Sequence, residues 1–513
     1  MDRNLLLAVS LSVAVYAAWF GFIEKKVNPQ PLKSSTSSAQ SAPANASAKG
    51  STSASSSVPS GASSSDAAVE KLDSGEADTV NIGEAIAKVH PRGASIVSYQ
   101  SPEPLGLVEL VHNPAEGIFG TFPELTFKRD ASVKNGIVYT ATRADGLKIQ
   151  KEFMPGAGTV LPRVRVVAIN PTKHGIDSGA WTLSVGPGLG TIATEKKENE
   201  KLQRAIALTP AAAGLNGHVE KLDAGTHAGP FRWIGIDNRY FLAALLPSTE
   251  LFGPAKSELP PKITLTAKPV NIPPNGSFTW EVPFYIGAKG HTWLTRYGVG
   301  LERAIDFGFF SWIGRKLLEA LEHLHGITGN WGWAILILTL CLQALLFPLT
   351  WKSLRAAAAM KKLQPEVAKL QQKYADDSAK LSAATMELYK TKGANPLGGC
   401  LPMVLQMPIF IALFNALRNS WELHGAPWTL WIHDLSAKDP YYVLPIVMGG
   451  LMFLQSKMNP PAGDKSQQQI MMFMPLIFTF MFMNFPAGLV LYWLTNSLVS
   501  TVVQVVLKDQ LEA

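Results

Sequence analysis

Cysteine is almost missing from this chain: only Cys341 and Cys400 occur in 513 residues. The polar front half has neither, so no disulfide supports it even in an oxidising compartment, and a zinc site of cysteines is excluded. Charge is missing in a more selective way. Between Trp331 and Leu507 run five apolar stretches with no charged side chain inside any of them. Intramembrane Asp, Glu, Lys or Arg is the usual mark of a pump or coupled transporter, and that mark is not here. Catalytic signatures are missing as well. There is no H-E-x-x-H, no G-x-S-x-G, and no S-x-x-K near a plausible membrane face. Gly186-Pro187-Gly188-Leu189-Gly190 lacks the spacing of a phosphate cradle, and Gly463-Asp464-Lys465-Ser466 lacks the first glycine and preceding strand of a P-loop. His433-Asp434 reads as a surface pair. No catalytic residue, cofactor or metal is expected.

What is present divides sharply along the chain. Leu5 to Ile23 is an apolar run of about nineteen residues behind Met1-Asp2-Arg3, long enough to span a bilayer. It reads as an uncleaved anchor over 1–24; a cleavable signal ending near Val15-Tyr16-Ala17 is the alternative. Residues 25–78 are dominated by Ser, Ala, Thr, Gly and Pro and read as a flexible linker that buries no core. From 79 to 290 short alternating runs such as Gly136–Thr142, Arg163–Ile169, Lys262–Thr266 and Ser277–Val282 are separated by turn residues. That period predicts an antiparallel β-sandwich of about two hundred residues.

Residues 301–325 predict one amphipathic helix. Ile305, Phe309, Trp312, Ile313, Ala320, Leu321 and Leu324 take one side and Arg303, Asp306, Arg315, Glu319 and Glu322 the other. It lies in the headgroup layer or packs on the sandwich. Spans are expected at 331–351, 400–417, 441–456, 470–485 and 488–507, within a core of 330–508. Two of them, 441–456 and 470–485, are about 24 Å long at 1.5 Å per residue, short against a hydrocarbon core near 30 Å.

The loop 352–392 holds nine basic residues against four acids, while the next loop, 421–440, is acidic. Basic loops stay cytoplasmic, so six spans put both termini inside and the sandwich outside. The net charge of +7 is explained by this placement and not by nucleic acid. Ala356–Tyr374 and Ser378–Lys392 predict a helical hairpin with a break at Asp376-Asp377-Ser378 and with Pro365 starting or kinking its first helix. The hairpin is a topological anchor, or a docking arm for ribosomes, anionic lipid or partner proteins.

Inside the spans lie Thr339, Gln343, Gln406, Asn415, Tyr492, Thr495 and Asn496. Thr339 and Gln343 are four apart on one helix face, and Tyr492 and Asn496 repeat the spacing on another. Neutral polar groups at depth either glue helices together or line a wet recess.

Several blocks in fixed order resemble the YidC membrane protein insertases of Gram-negative bacteria, within the family of the mitochondrial oxidase-assembly and chloroplast light-harvesting insertases. They include Gly329-Asn330-Trp331-Gly332, Phe347-Pro348-Leu349-Thr350, Asn395 to Cys400, Gln406-Met407-Pro408-Ile409-Phe410, Trp431 to Ser436, Asp439-Pro440-Tyr441-Tyr442 and Phe485 to Trp493. The resemblance implies a polytopic α-helical inner-membrane protein of six spans, a five-helix insertase core and a periplasmic β-sandwich.

It also implies a hydrophilic groove open to cytoplasm and lipid, bearing Thr339, Gln343, Gln406, Met407, Tyr492, Trp493 and Asn496, with a greasy slide formed by two spans. The expected activity is insertion and chaperoning of nascent membrane proteins, alone or with the Sec translocon, with ribosome and lipid as further partners. The family usually carries an Arg in the second span where this chain has Gln343. The competing class is a small-solute transporter or channel, which calls for inverted repeats or midplane ionisable groups, and neither is visible.

Overall fold

The structure is a computed structural model that describes residues 72–104, 106–130, 137–210, 218–374, 377–393, 396–458 and 465–507. The anchor expected over 1–24 and the linker up to residue 71 lie outside the described residues.

Alternation builds the β-rich part. Lys148–Met154 and Arg163–Ile169 bury every second side chain, the pattern of a sheet with one covered face. A nine-stranded antiparallel sheet runs in the order His218–Leu222, Arg204–Thr209, Trp233–Asp237, Phe241–Leu245, Ser277–Ala288, Arg163–Ile169, Lys148–Met154, Ile137–Thr142, Lys128–Arg129. A four-stranded sheet (Thr182–Val185, Lys262–Thr266, Ala255–Glu258, Gly225–His227) and an N-terminal four-stranded meander from Asp78 to Glu109 share one core with it. Trp181 sits at the centre of that core, edge-on to Trp280 at 5.6 Å and to Phe252 at 6.0 Å.

Two central strands, Trp233–Asp237 and Phe241–Leu245, are buried at every position. Their second face holds Trp233, Leu242 and Ala244 against Leu294, Leu301 and Ala304 from the segment that follows the last strand.

That segment departs from the expected helix over 301–325. Leu301–Ala304 is a single 3-10 turn, Ile305 is extended, and the helix proper, α1, is Ser311–Thr328. Tertiary partners hold the backbone open between them. Asn419 Nδ2 donates to Asp306 O at 2.7 Å, and Asn415 Nδ2 to Phe307 O at 3.2 Å. Gly308 has φ +70°, and a Cβ there would meet Asn415 Nδ2 at 2.6 Å. α1 does not pack on the sandwich through its main apolar stripe: Leu317 and Leu321 enter the core of the helical part, while Phe309 and Trp312 are left exposed.

The helical part continues as α2 Trp331–Lys373, α3 Ser378–Thr391, α4 Pro396–Asn419, α5 Val443–Met458, α6 Lys465–Phe482 and α7 Ala487–Val506. α2 corrects the expected hairpin: it is one helix of 43 residues through both Pro348 and Pro365, rising about 64 Å. A helix-interior proline costs about 3 kcal/mol, so packing must hold the rod together. Leu363 and Val367, either side of Pro365, are buried against Tyr389 of α3, and Lys392 reaches Glu366 at 3.3 Å. The break expected near 376–378 is present, with Asp377 capping α3 by accepting from Lys380 N at 3.0 Å.

One end of the helical part is tied to the loop 420–442. Asn330 Nδ2 donates to Pro427 O at 3.0 Å, Ala487 N to Ala437 O at 2.7 Å and Gly488 N to Leu435 O at 2.9 Å. From Trp331 to Lys352 helix α2 rises about 32 Å before the hairpin begins. The hairpin therefore sits at the far end of the helices from the sandwich. Among the described residues two helices, α2 and α7, are long and apolar enough to cross a bilayer, and α5 is apolar but only 16 residues long.

Candidate functional site

Three helices bring the predicted polar residues together. α2 packs against α4 and α7, and α7 lies between α2 and α5. Gln343 of α2 donates through Nε2 to Asn496 Oδ1 of α7. Gln406 of α4 donates through Nε2 to the Tyr492 hydroxyl, also on α7. The i,i+4 spacing of Tyr492 and Asn496 thus places two cross-helix bonds on one face of α7, one turn apart. Tyr492 is buried in the helical core, whereas Gln343, Asn496 and Gln406 are half-buried.

The hydroxyls behave differently. Thr339 Oγ1 donates to Ile335 O at 2.7 Å and Thr495 Oγ1 to Leu491 O at 2.7 Å, each within its own helix. They remove their polarity from the interface locally and tie nothing together. Asn415 serves the 305–310 segment as described above. In this arrangement the amides act as glue, and their partial exposure leaves the outer pair reachable.

Met407 and Trp493, grouped with the polar residues on sequence grounds, stand apart from them. Met407 is exposed. Trp493 belongs to an aromatic cluster: 4.8 Å from Phe410 of α4, 5.4 Å from Phe482 and 6.3 Å from Phe478 of α6. The site therefore has a neutral polar half on α2, α4 and α7 and an aromatic half on α4, α6 and α7.

Sequence reasoning passed over Gln455 of α5, whose Nε2 donates to Ser497 O at 2.9 Å. An amide inside an apolar run was its only signal. It also passed over an open apolar cleft of about 570 Å³ between α5 and α6, lined by Ile446, Gly450, Phe453, Met472, Leu476 and Phe480 among others. The two short helices form this cleft.

Where the helices meet the sandwich, charge is concentrated. The loop Trp421–Leu423 drives Trp421 into the β core, 5.2 Å from Phe241 and 5.6 Å from Tyr240. Beside it Glu422 Oε1 accepts from His291 N, and Glu322 of α1 accepts from the same histidine through Nδ1 at 3.0 Å and from Thr292 Oγ1 at 3.0 Å. Burial, and then the neighbouring Glu322 charge, push the Glu422 carboxyl up to about 7. Burial lowers the His291 imidazole, but Glu322, Glu422 and Glu319 outweigh it and hold its pKa above the ordinary value. Deeper in, buried Asp237 bridges Arg204 at 2.8 Å and Lys289 at 2.9 Å, and Arg204 continues to Asp306 at 2.8 Å.

Two family models match the chain. One described as 60Kd inner membrane protein covers residues 323–513, and one described as YidC periplasmic domain covers residues 129–320. A membrane protein insertase YidC from Endomicrobium trichonymphae is 38% identical over 435 residues, spanning 80% of this chain and 81% of that one. A second, from Syntrophus aciditrophicus (strain SB), is 46% identical over 290 residues, with 55% of this chain and 53% of that one covered. Among solved structures, one described as an active YidC insertase with the first transmembrane domain resolved is 18% identical, covering 85% of this chain and 95% of that one at a TM-score of 0.41.

Proposed function

The chain belongs to the YidC family of membrane protein insertases, and from that premise we propose that it inserts nascent membrane proteins by receiving them at the neutral groove between α2, α4 and α7. The family is that of inner-membrane insertases with a periplasmic domain, so the β-rich part is the periplasmic domain and the helices are the membrane part.

The finer layout is part of the proposal. Six spans, five of them forming the insertase core over 330–508, put both termini in the cytoplasm. The domain boundaries are an anchor over 1–24, a linker over 25–78, a sandwich over 79–290 and an interfacial helix, α1, over Ser311–Thr328 in place of the expected 301–325. The far-end hairpin of α2 and α3 then faces the cytoplasm, where its basic residues meet ribosomes or anionic headgroups. Exposed Phe309, just before α1, and Trp312, in its first turn, suit the outer headgroup layer. Cooperation with the Sec translocon and a chaperone role for folding clients belong to the same reading.

The observation that carries the groove is the meeting of Gln343, Asn496, Gln406 and Tyr492, all neutral, on three helices without a charge inside their apolar stretches. A single charge at the centre of a bilayer costs about 2.5–3.5 kcal/mol on insertion scales. Amides that hydrogen-bond a passing tail reduce that term, and short α5 and α6 thin the bilayer around it. Apolar burial of the arriving helix supplies the drive. Phe410, Phe478 and Trp493 offer it an aromatic face, the counterpart of a greasy slide.

Purified protein in vesicles should insert a two-helix client and form photocrosslinks to it from positions 343 and 493. Insertion without crosslinks at either position would remove the groove from the mechanism. Solute flux in client-free vesicles would favour a transporter or channel instead.

A further inference from the structure

We propose that Gln343 and Asn496 form an exchangeable clasp that a client opens with its own backbone amides, so that the groove selects for uncharged, backbone-exposed tails and discriminates little between acidic and basic ones. The inference rests on the groove reading and adds to it a mode of opening and a client class.

A primary amide side chain is a peptide group without the chain: an N–H donor and a carbonyl acceptor in one plane. A client backbone whose N–H and C=O are not taken up by its own helix offers the same two groups. It can replace Asn496 at Gln343, and Gln343 at Asn496, one bond for one bond. Exchange of equivalent hydrogen bonds has a small net free energy, whereas opening without a replacement strands polar groups in an apolar setting. The clasp thus yields to a partner of matching chemistry and stays shut against purely apolar segments and lipid tails.

The two cross-helix bonds are not equivalent, and this gives the opening a direction. Tyr492 is 1% exposed and packed in the helical core, so its bond from Gln406 is a fixed tie between α4 and α7. Gln343 and Asn496 are both half-buried, and Asn496 lies one turn beyond Tyr492 along α7. The opening is therefore between α2 and α7, hinged on a tie that remains. Thr339 and Thr495 bond within their own helices and need not break anything.

Client class follows from what the pair lacks. A neutral amide presents a dipole of either polarity depending on which end faces the tail, so it gains little from a formal charge of either sign. The nearest formal charges on α2 and α4 stand at the ends of the apolar stretches, at Lys352 and Arg418. Tails rich in Gly, Ser and Asn, or helices broken by Gly or Pro, carry the free backbone groups the clasp accepts.

The test uses the full-length protein in zwitterionic vesicles without a membrane potential, in a Cys341→Ser, Cys400→Ser background. Gln343→Cys with Asn496→Cys, bridged by a short bismaleimide, should lose at least tenfold of the insertion of a client with a neutral polar tail. The swap Gln343→Asn with Asn496→Gln, which keeps an amide pair, should insert the neutral-tail client several-fold faster than the bridged protein does and keep the indifference to tail charge. Clients with acidic and basic tails of equal length should insert within about threefold of one another and more slowly than the neutral one. Undiminished insertion by the bridged protein, or a strong preference for one charge sign, overturns the clasp. Should Gln343→Leu and Gln406→Leu both insert every client at the parental rate, the groove reading itself fails, an outcome distinct from failure of the clasp alone.

Discussion

The backbone N–H of His291, just past the last strand of the sandwich, donates to the carboxylate of Glu422, in the loop between α4 and α5, at 2.5 Å. The other oxygen, Glu422 Oε2, is buried and has no donor. The joint between sandwich and helices thus contains two carboxylates, Glu422 and Glu322, around one imidazole, with Glu319 nearby.

Acid should tighten this joint. The Glu422 carboxyl titrates near 7 in the folded protein against 4.5 in a free side chain. Its folded pKa is raised, so ionisation weakens the fold as pH climbs from about 4.5 to 7, by on the order of 3 kcal/mol. His291 has a folded pKa above its ordinary value too, so its contribution is complete below about 6.5 and is lost as pH rises through the higher value. Both act in one direction. Protection factors at residues 290–296, from which the base-catalysed intrinsic rate has been divided out, should rise as pH falls from about 7.5 to about 5, and Glu422→Gln should flatten that slope. An unchanged slope in the variant would dissociate Glu422 from the effect.

Trp421 links the two parts by packing. It is 2% exposed and belongs to the β core although it is carried by the helical part. Trp421→Ala should lower β-domain stability by about 3–5 kcal/mol, the range for a large core aromatic. Urea titration followed by strand-specific hydrogen exchange would report it, and a midpoint equal to the parent's would show that the loop merely rests on the sandwich.

Lys151 is the inward-facing residue least expected of its strand. Ile149, Lys151 and Phe153 share the buried face, and the Lys151 ammonium donates to Gly93 O at 3.1 Å, Ala94 O at 2.9 Å and also to Phe119 O. Burial holds its pKa well below the ordinary lysine value. Ala94 and Phe119 have φ of 43° and 58°, left-handed conformations that turn their carbonyls toward it. Lys151→Met would leave the buried carbonyls of Ala94 and Phe119 without a donor, while Gly93 O keeps its bond from Thr121 N at 3.0 Å, and a loss of about 2 kcal/mol or more is expected in thermal or urea unfolding. A variant as stable as the parent would show that water or a shifted turn satisfies them.

The contrast between legible and illegible features has a physical basis. Arg163–Ile169 and Lys262–Thr266 were readable because alternation is local, and one buried face imposes it residue by residue. Lys151 was not, since its partners are three carbonyls at least 32 residues away. The start of α1 depends on Asn415 and Asn419, over a hundred residues on, which overrule the helical periodicity of 301–310. α2 passes through Pro365 because α3 covers the flanking Leu363 and Val367, a contact no local rule contains. The groove lies between these cases. Spacing placed Tyr492 and Asn496 on one face, but only the structure pairs them with Gln406 and Gln343 and assigns Trp493 to a separate aromatic cluster.

Gln343 is where the proposed function is most exposed to refutation. Leucine at 343 has nearly the same volume and a comparable helix propensity, so α2 should persist. The variant removes the donor to Asn496 and leaves that amide facing an apolar neighbour. For a client whose short translocated tail is polar, the groove then offers one amide in place of two. Loss of one hydrogen bond at depth corresponds to about 1–1.5 kcal/mol, or roughly a tenfold slower insertion. A client with an apolar tail has no such bond to lose and should insert at close to the parental rate. Gln343→Arg supplies the complementary measurement: a fixed positive charge should accelerate acidic tails and slow basic ones, creating a preference that the amide does not support. Parallel insertion assays with the three tails separate these outcomes, and equal losses for polar and apolar tails in Gln343→Leu would mean that residue 343 supports the helices without touching the client.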